Sequence, residues 1–503
     1  MLTIDTWISG WARHRPHHEA LREGDDVVSY ADLERRIGAA AADLARRGVG
    51  AGDRVGFCGL NRIEQIVLLF ACARIGAILV PLNNRLSVAE HRYQIDHAEL
   101  ALLFVTDGFA GAVTEAAGGR PVVDLDDDLD DDLDGDRLLD GPVPEAVPDA
   151  AGRDVLMVYT SGTTGRPKGA VHTQRSLLFT VLNGVAHQDL HAGDRVLTFL
   201  PIFHVGGLNI QTLPGLYVGA SVELIRRFDP GAVLGALRER RHTQTLAVPA
   251  TMTALLDHPD LGTVDWSCLR GLNSGSSVVP PALIERFHAL GVPVGQVYGS
   301  TETGPTAVVL RFEDAFDRVG SCGKAALHSE LRLVDGELWV RGPHLFDRYW
   351  RDPAATAEVF VDGWYRTGDL GHVDEDGFVV VDDRLRDVVI SGGENVYPAE
   401  VELVLAGHPA IAEVAVIGRP DDRWGEAVVA FVVLRAGSTL SLAELRAWCE
   451  GRLARYKQPQ ALQVVDSLPR TALGKVTKHV LRAGAVVPVG TAGFYAGSSE
   501  PSE

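Results

Sequence analysis

Apolar residues first recur at helical spacing at Leu33, Ile37, Ala40, Ala41 and Leu44, on one face of a segment that Ser29 and Asp32 can cap and Gly48 can stop. A strand from Val55 to Cys58, a helix from Ile63 to Arg74 and a strand from Ala77 to Pro81 follow. This βαβ rhythm predicts parallel sheet covered by helices. Short apolar strands recur at Val155–Tyr159, Val196–Leu200, Ser221–Ile225, Thr245–Val248 and Val294–Val297, between helical or turn-rich stretches. Together they predict a large α/β body of parallel and mixed sheets. Near Asp382–Ser391 the pattern changes to strands at Ile411–Ile417 and Ala427–Leu434 and a helix at Leu442–Leu453. The expected domains are therefore a body over 1–385, a small α+β domain over 386–485, and a flexible Gly-, Ala- and Ser-rich tail over 486–503.

Composition narrows the function. A chain of 503 residues with 46% hydrophobic content has material for more than one core. Its formal charge of −20 repels polyanions, so whole-surface binding to nucleic acid or anionic membrane is excluded and any phosphate site must be local. No basic segment followed by an apolar stretch opens the chain, and the longest apolar run, Ile66–Ala73, is too short to span a bilayer. Cys58, Cys72, Cys268, Cys322 and Cys449 are scattered without a CxxC pair, which suits free thiols in a reducing compartment. A cytoplasmic protein is expected, and a homodimer is left open. Asp124–Asp136 holds nine aspartates in thirteen residues; it imitates the start of a calcium loop but has Gly141 where a bidentate Glu is needed, so it reads as a solvated acidic loop.

After the strand ending at Tyr159 comes T-S-G-T-T-G-R-P-K-G, Thr160 to Gly169. Glycines such as Gly162 let backbone approach an anion closely. The hydroxyls of Thr160, Ser161, Thr163 and Thr164 can donate to phosphate oxygens, and Lys168 supplies charge. Pro167 stands where a Walker A loop needs its second glycine, so the spacing is a different one.

This loop resembles the signature of the adenylate-forming superfamily of acyl-CoA synthetases, luciferases and peptide-synthetase adenylation domains. Further matches follow in order along nearly the whole chain: S-G-S-S-V-V-P at Ser274, Y-G-S-T-E-T at Tyr298, Y-R-T-G-D-L at Tyr365, D-R-L-R-D at Asp383, S-G-G-E-N-V-Y-P at Ser391 and P-R-T-A-L-G-K at Pro469. Each string alone is weak; the ordered set is specific. The resemblance implies ATP and coenzyme A as co-substrates of a carboxylic acid, with Mg²⁺ as the metal. It places Glu302 on Mg²⁺, Thr301 on the α-phosphate, and Asp369 and Arg384 on the ribose hydroxyls. Ser274, Gly275 and Ser276 would line the adenine, with Tyr298 as the stacking ring. Lys475 would be the catalytic lysine on a mobile lid, where one charge can stabilise the crowded transition state. Gly392, Gly393 and Glu394 would line the thiol tunnel. Arg386 takes the hinge position, where Asp or Lys is commoner, and Gln174 stands where the family often has histidine.

By the same resemblance His204 in P-I-F-H-V-G-G-L sits at the acyl entrance, with Val248, Pro249, Gly299 and Gly304 on the walls. Gly206 and Gly207 remove bulk beyond the histidine, and no acidic anchor for an amino group appears, which favours an apolar acid. Arg311 would suit a second carboxylate, but its register points to a surface arginine. The expected function is an ATP-dependent acyl-CoA ligase. The alternatives are a stand-alone adenylation enzyme loading a carrier protein, an enzyme running only thioester formation from a supplied acyl-adenylate, and a nucleotide sensor without catalysis, against which Lys475 and Glu302 together argue.

Overall fold

The computed structural model describes residues 3–126, 152–160, 167–275, 279–384, 387–391, 394–421, 424–450, 452–453, 455–471 and 474–484. Ser161, Gly162, Thr163, Thr164, Ser276, Arg386, Gly392 and Gly393 lie outside these residues, as do the acidic stretch beyond Asp126 and the tail. The chain divides into two compact units. The first comprises Met1–Arg332, Trp339–Thr367 and Asp374–Val379; the second comprises Leu333–Leu338, Gly368–Val373 and Val380–Glu503.

The first unit is built on two sheets. In the nine-stranded one, Val294–Tyr298, Gly271–Gly275, Gln244–Ala247, Arg195–Thr198, Ser221–Leu224 and Glu19–Glu23 lie side by side in that order and parallel. Antiparallel strands close both edges. In the seven-stranded sheet, Asp154–Thr160, Ile78–Leu82, Arg54–Cys58, Leu102–Val105 and Val122–Asp124 run parallel, and Lys168–Thr173 and Arg348–Tyr349 add antiparallel strands at the Asp154–Thr160 edge. The expected strands appear within a residue or two of their sequence bounds.

Two helices show how the pattern was written. Tyr30–Arg46 starts where Ser29 accepts the Asp32 amide at 3.1 Å, and it buries Leu33, Ile37, Ala40, Ala41 and Leu44. Such a cap stabilises by about 1 kcal/mol. Ile63–Ile75 is buried on every face except at Glu64, so the apolar run too short for a membrane is the centre of the main core. Among the described residues no helix is long and apolar enough to cross a membrane.

Gln174, the departure from the family's usual histidine, opens helix Gln174–Gln188 and is fully buried. Its Oε1 accepts the Ile4 amide at 2.9 Å and its Nε2 donates to the Ala73 carbonyl at 3.3 Å. The amide thus fastens the N-terminal segment and the central helix to one point, using both of its hydrogen-bonding ends as a neutral imidazole also could.

In the second unit, Ile411–Asp421 and Gly425–Leu434 form a long antiparallel pair, with Ala461–Val464 parallel to the latter. Val416, Val428 and Val432 pack with Leu445 on one face. Ala415, Ile417, Val429 and Phe431 pack with Leu481 on the other. Burial on both faces explains why these strands read as nearly continuous apolar runs. Helix Leu442–Cys449 is a turn shorter than its sequence pattern and is capped by Ser441 with Glu444.

Among the buried histidines of the first unit are His172, His187 and His344. Burial holds each down to about 4, well under the ordinary value near 6.5. The unfolded chain binds these protons as pH falls below about 6.5, whereas the folded chain refuses them until about 4. The free energy of unfolding should therefore be insensitive to these groups above about pH 7 and fall steadily between about 6.5 and about 4. Urea midpoints across that window test this, and His187→Gln should make the fall shallower; an unchanged slope would refute the assignment for that side chain.

Candidate active site

The first unit gathers its chemistry at the carboxyl ends of parallel strands, the edge where open α/β sheets bind ligands. Arg195–Thr198 leads to His204, Gln244–Ala247 to Val248 and Pro249, Gly271–Gly275 ends on Ser274 and Gly275, and Val294–Tyr298 leads to the turn at Thr301–Thr303. From the other sheet, Thr160 and Lys168 are register partners across the base of the segment 161–166.

Glu302 ties these strand ends together. Its carboxylate is 7% exposed. Tyr349 Oη donates to its Oε1 at 2.8 Å, and Thr160 Oγ1 lies 3.5 Å from the same oxygen and 3.5 Å from the Lys168 carbonyl, so its one proton serves one of them. The Lys168 ammonium stands 5.1 Å from the centre of the Tyr349 ring, a cation–π distance. Burial first, and the Glu302 charge second, push the Tyr349 hydroxyl far above its usual range, which keeps it a proton donor. Among the described residues both hydroxyls lie against Oε1 and none is placed on Oε2, the oxygen that a further ligand could use. A single fixed carboxylate oxygen suits Mg²⁺, which completes its shell with water and substrate phosphates more often than with an all-protein cage.

The turn carrying Glu302 is rigid for local reasons. Thr303 Oγ1 accepts the Ser300 amide at 2.8 Å, the Gly304 amide returns to the Thr301 carbonyl at 3.2 Å, and Gly304 takes φ +82°. A Cβ on Gly304 would lie 2.1 Å from Thr180 Oγ1, and one on Gly299 would lie 2.0 Å from the Pro305 carbonyl oxygen. Both glycines serve close approach of backbone and side chain. Thr301 is buried beside Glu302, and Tyr298 is half-buried at the strand end.

Ser274 and Gly275, expected to line the adenine, are held against neighbouring backbone. Ser274 is fully buried and its hydroxyl donates to the Ala247 carbonyl at 2.9 Å. A Cβ on Gly275 would stand 2.4 Å from the Val297 carbonyl oxygen. Val248 caps helix Pro249–Leu256 and is buried.

His204 caps the short helix Val205–Gly207, which runs into a π-helical turn over Leu208–Thr212. Burial lowers its imidazole to about 4, so it is neutral near pH 7, and its Nδ1 has no partner among the described residues. The two glycines that follow differ. A Cβ at Gly206 meets nothing within 4 Å, whereas at Gly207 it would stand 2.5 Å from the Pro201 carbonyl oxygen. Only Gly206 borders open space. Arg311 is held by Glu313 at 2.8 Å and Asp189 at 3.1 Å, the surface role its register suggested.

In the second unit, Asp369 is buried on strand Trp364–Val373, Arg384 ends strand Val379–Arg384, and Glu394 starts strand Glu394–Val396. Lys475 is half-buried on a tight loop. Arg470 and Val476 bridge across that loop, the Thr471 amide donates to the Lys475 carbonyl at 2.7 Å, the Lys475 amide donates to Thr471 Oγ1 at 3.2 Å, and Gly474 takes φ +80°. Tyr349 was missed in the sequence. It lies 47 residues beyond Glu302, and no local spacing signals a contact that only the pairing of Arg348–Tyr349 with Lys168–Thr173 creates.

Comparison with known proteins places this geometry. Residues 8–350 match the family described as AMP-binding enzyme, and residues 400–475 match the AMP-binding enzyme C-terminal domain. An indoleacetate–CoA ligase of Aromatoleum aromaticum is 42% identical over 96% of this chain and 98% of its own length. A feruloyl-CoA synthase of an Amycolatopsis species is 39% identical over 95% and 98%. The o-succinylbenzoate CoA synthetase of Bacillus subtilis, solved with its acyl-adenylate intermediate, superposes with a TM-score of 0.84 at 32% identity, covering 95% of this chain and 97% of that one. The same enzyme has been solved with ATP and a magnesium ion.

Tyr349→Phe removes one hydroxyl and leaves the ring beside Lys168. The carboxylate it orients should then bind the cation about 10–100-fold more weakly, the usual loss when a partner of a metal ligand is removed. A Mg²⁺ titration followed by tryptophan fluorescence in the presence of ATP reads this directly, and an unchanged midpoint would sever Tyr349 from the site.

Proposed function

The chain belongs to the AMP-binding enzyme family, and on that premise we propose how its own residues carry out the work of an acyl-CoA ligase. The chain is an acid–thiol ligase acting through an acyl-adenylate; the residue roles below, the apolar aryl character of the acid and the cytoplasmic setting are our reading. A single observation supports the reading best: the Glu302 carboxylate, fixed by Tyr349 with Thr160 and Lys168 at hand, at the carboxyl ends of the strands.

A carboxylate is a poor acyl donor, because oxide is a very poor leaving group. Attack of the acid's oxygen on the α-phosphorus of ATP forms the acyl–O–P bond and breaks the bond to pyrophosphate, so AMP becomes the new leaving group. Two anions must be held together for this, and fixed charges do it at no reorganisation cost during reaction. Lys168, with the hydroxyls of Thr160, Ser161, Thr163 and Thr164, takes the phosphates, while Thr301 contacts the α-phosphate. Glu302 Oε2 would hold Mg²⁺, which supplies neutralising charge to the phosphates. Ser274, Gly275, Ser276 and Tyr298 frame the adenine, Asp369 and Arg384 the ribose, and Lys475 the charge that builds between carboxylate and phosphorus. In the second step the thiolate of coenzyme A attacks the acyl carbon and expels AMP, with Gly392, Gly393 and Glu394 lining its path and Arg386 at the hinge of a lid over 386–485.

The acid enters past His204, and a neutral imidazole there leaves the acid's own negative charge unpaired until it meets the phosphorus. Val248, Pro249 and Gly206 give it apolar walls and open space. An aryl acid fits this lining and agrees in class with the indoleacetate and ferulate of the two named relatives.

Incubation of the protein with an aryl-acid panel, ATP, Mg²⁺ and coenzyme A should give AMP, pyrophosphate and thioester in equal amounts. ADP and orthophosphate as primary products would overturn the mechanism, and thioester on a carrier protein but never on coenzyme A would change the acceptor.

Because one lid carries both Lys475 and the thiol-tunnel glycines, the two steps should be separable by mutation. Lys475→Ala should slow adenylation about 10²-fold or more, the loss typical of one preorganised donor, while thioester formation from supplied acyl-adenylate survives. Gly393→Leu should do the reverse. Pyrophosphate exchange and single-turnover thioesterification distinguish them, and equal losses in both assays would refute the division of labour.

A further inference from the structure

The π-helical turn Leu208–Thr212 is wholly buried, yet it carries three polar side chains: Asn209, Gln211 and Thr212. Thr212 is served by Thr198 at 2.9 Å and the Gly207 carbonyl at 2.7 Å. Asn209 Nδ2 donates to the Gly304 carbonyl at 3.2 Å, and Gln211 Nε2 donates to Gln188 Oε1 at 3.3 Å. What remains has one chemical sense. Asn209 Oδ1 and Gln211 Oε1 are both buried carbonyl acceptors without a donor among the described residues. A buried polar atom left unpaired is costly, so a donor is expected at such a position in the working protein.

The two differ in what surrounds them. Gln211 turns toward Gln188 of helix Gln174–Gln188, inside a network of buried amides that includes Asn273 and Gln244. Asn209 turns toward Gly304. Its turn follows directly on the short helix that His204 opens, where the Leu208 amide donates to the His204 carbonyl at 3.1 Å. Gly206, which borders open space, precedes Asn209 by three residues, about one helical turn. Widened π turns recur at functional sites because they displace a side chain from the regular helical stripe.

We propose that Asn209 is a specificity-determining residue: its Oδ1 receives a hydrogen-bond donor on the distal ring of the aryl acid, an N–H or phenolic O–H. This rests on the acyl-CoA ligase reading and deepens it, because a pocket built only of apolar walls discriminates weakly between ring isosteres, whereas a buried acceptor penalises an analogue that cannot donate. The amide orientation is set from within: Nδ2 must face the Gly304 carbonyl, so Oδ1 is fixed as the acceptor.

The test uses matched acids that differ only in the donor: indole-3-acetate against its N-methyl analogue, and ferulate against its O-methyl analogue, each scored by kcat/KM for AMP release. The wild-type protein should favour at least one donor-bearing acid about 10–100-fold over its methylated partner. Asn209→Leu should bring that ratio to about one, while Asn209→Gln, which keeps the acceptor, should preserve part of it. Equal rates on both members of each pair in the wild type, or turnover confined to acids without a donor, would overturn the proposal and leave a buried water as the partner of Oδ1, with the ligase reading intact. A ratio that survives Asn209→Leu would assign the discrimination to another residue. AMP release from no acid at all would instead bring down the ligase reading itself. The wild-type comparison needs no variant to fold, so the proposal stays exposed even if Asn209→Leu does not.

Discussion

Everything in the site depends on holding negative charge beside negative charge. On the proposed roles the Glu302 carboxylate is itself an anion placed where phosphates would come, which is tolerable only if a cation shares the space and if the carboxylate cannot swing away. The structure meets the second condition from two sides at once. Glu302 follows a strand of the nine-stranded sheet, whereas Tyr349 and Thr160 belong to the seven-stranded one. One hydrogen-bonded carboxylate therefore spans the two sheets, and on the proposed roles their packing would set the geometry of phosphate binding.

That arrangement explains which residues sequence reasoning could reach. The glycine- and hydroxyl-rich loop, the Thr-Glu pair after a strand and the lysine after Gly474 are local strings, and their chemistry can be argued from neighbours a few residues apart. Helix Tyr30–Arg46 and the strand pair in the second unit were equally legible, since a cap or a period is also a local signal. Tyr349 was not. Its role exists only because a two-residue strand pairs with Lys168–Thr173 and brings a phenol to a carboxylate on another sheet. The role of Gln174 was not legible either: it was noted only as standing where the family often has an imidazole, and its two amide bonds, to Ile4 and Ala73, are set by segments remote from it in sequence.

Burial also decides the protonation states on which the chemistry runs. His172, His187 and His344 are held neutral by loss of solvent, so none of them adds positive charge to the interior of the first unit at neutral pH. Among the described residues, the Lys168 ammonium supplies positive charge beside Glu302, 5.1 Å from the centre of the Tyr349 ring.

The glycines of the site separate two meanings that look identical in sequence. Gly299, Gly304 and Gly207 lack side chains because backbone or packed hydroxyl already fills the volume, as close distances to Pro305, Thr180 and Pro201 show. Enlarging any of them would press on the turn that carries Glu302 or on the strand end that precedes His204. Gly206 alone of the four borders open space. On the proposed roles, room for an acid would come from the helix after His204 and not from the Glu302 turn, so that selection among acids could change there without disturbing that turn. A family that activates many different acids by one reaction needs such a division, and here it falls between a turn locked by its own backbone and a widened helical turn with an acceptor to spare.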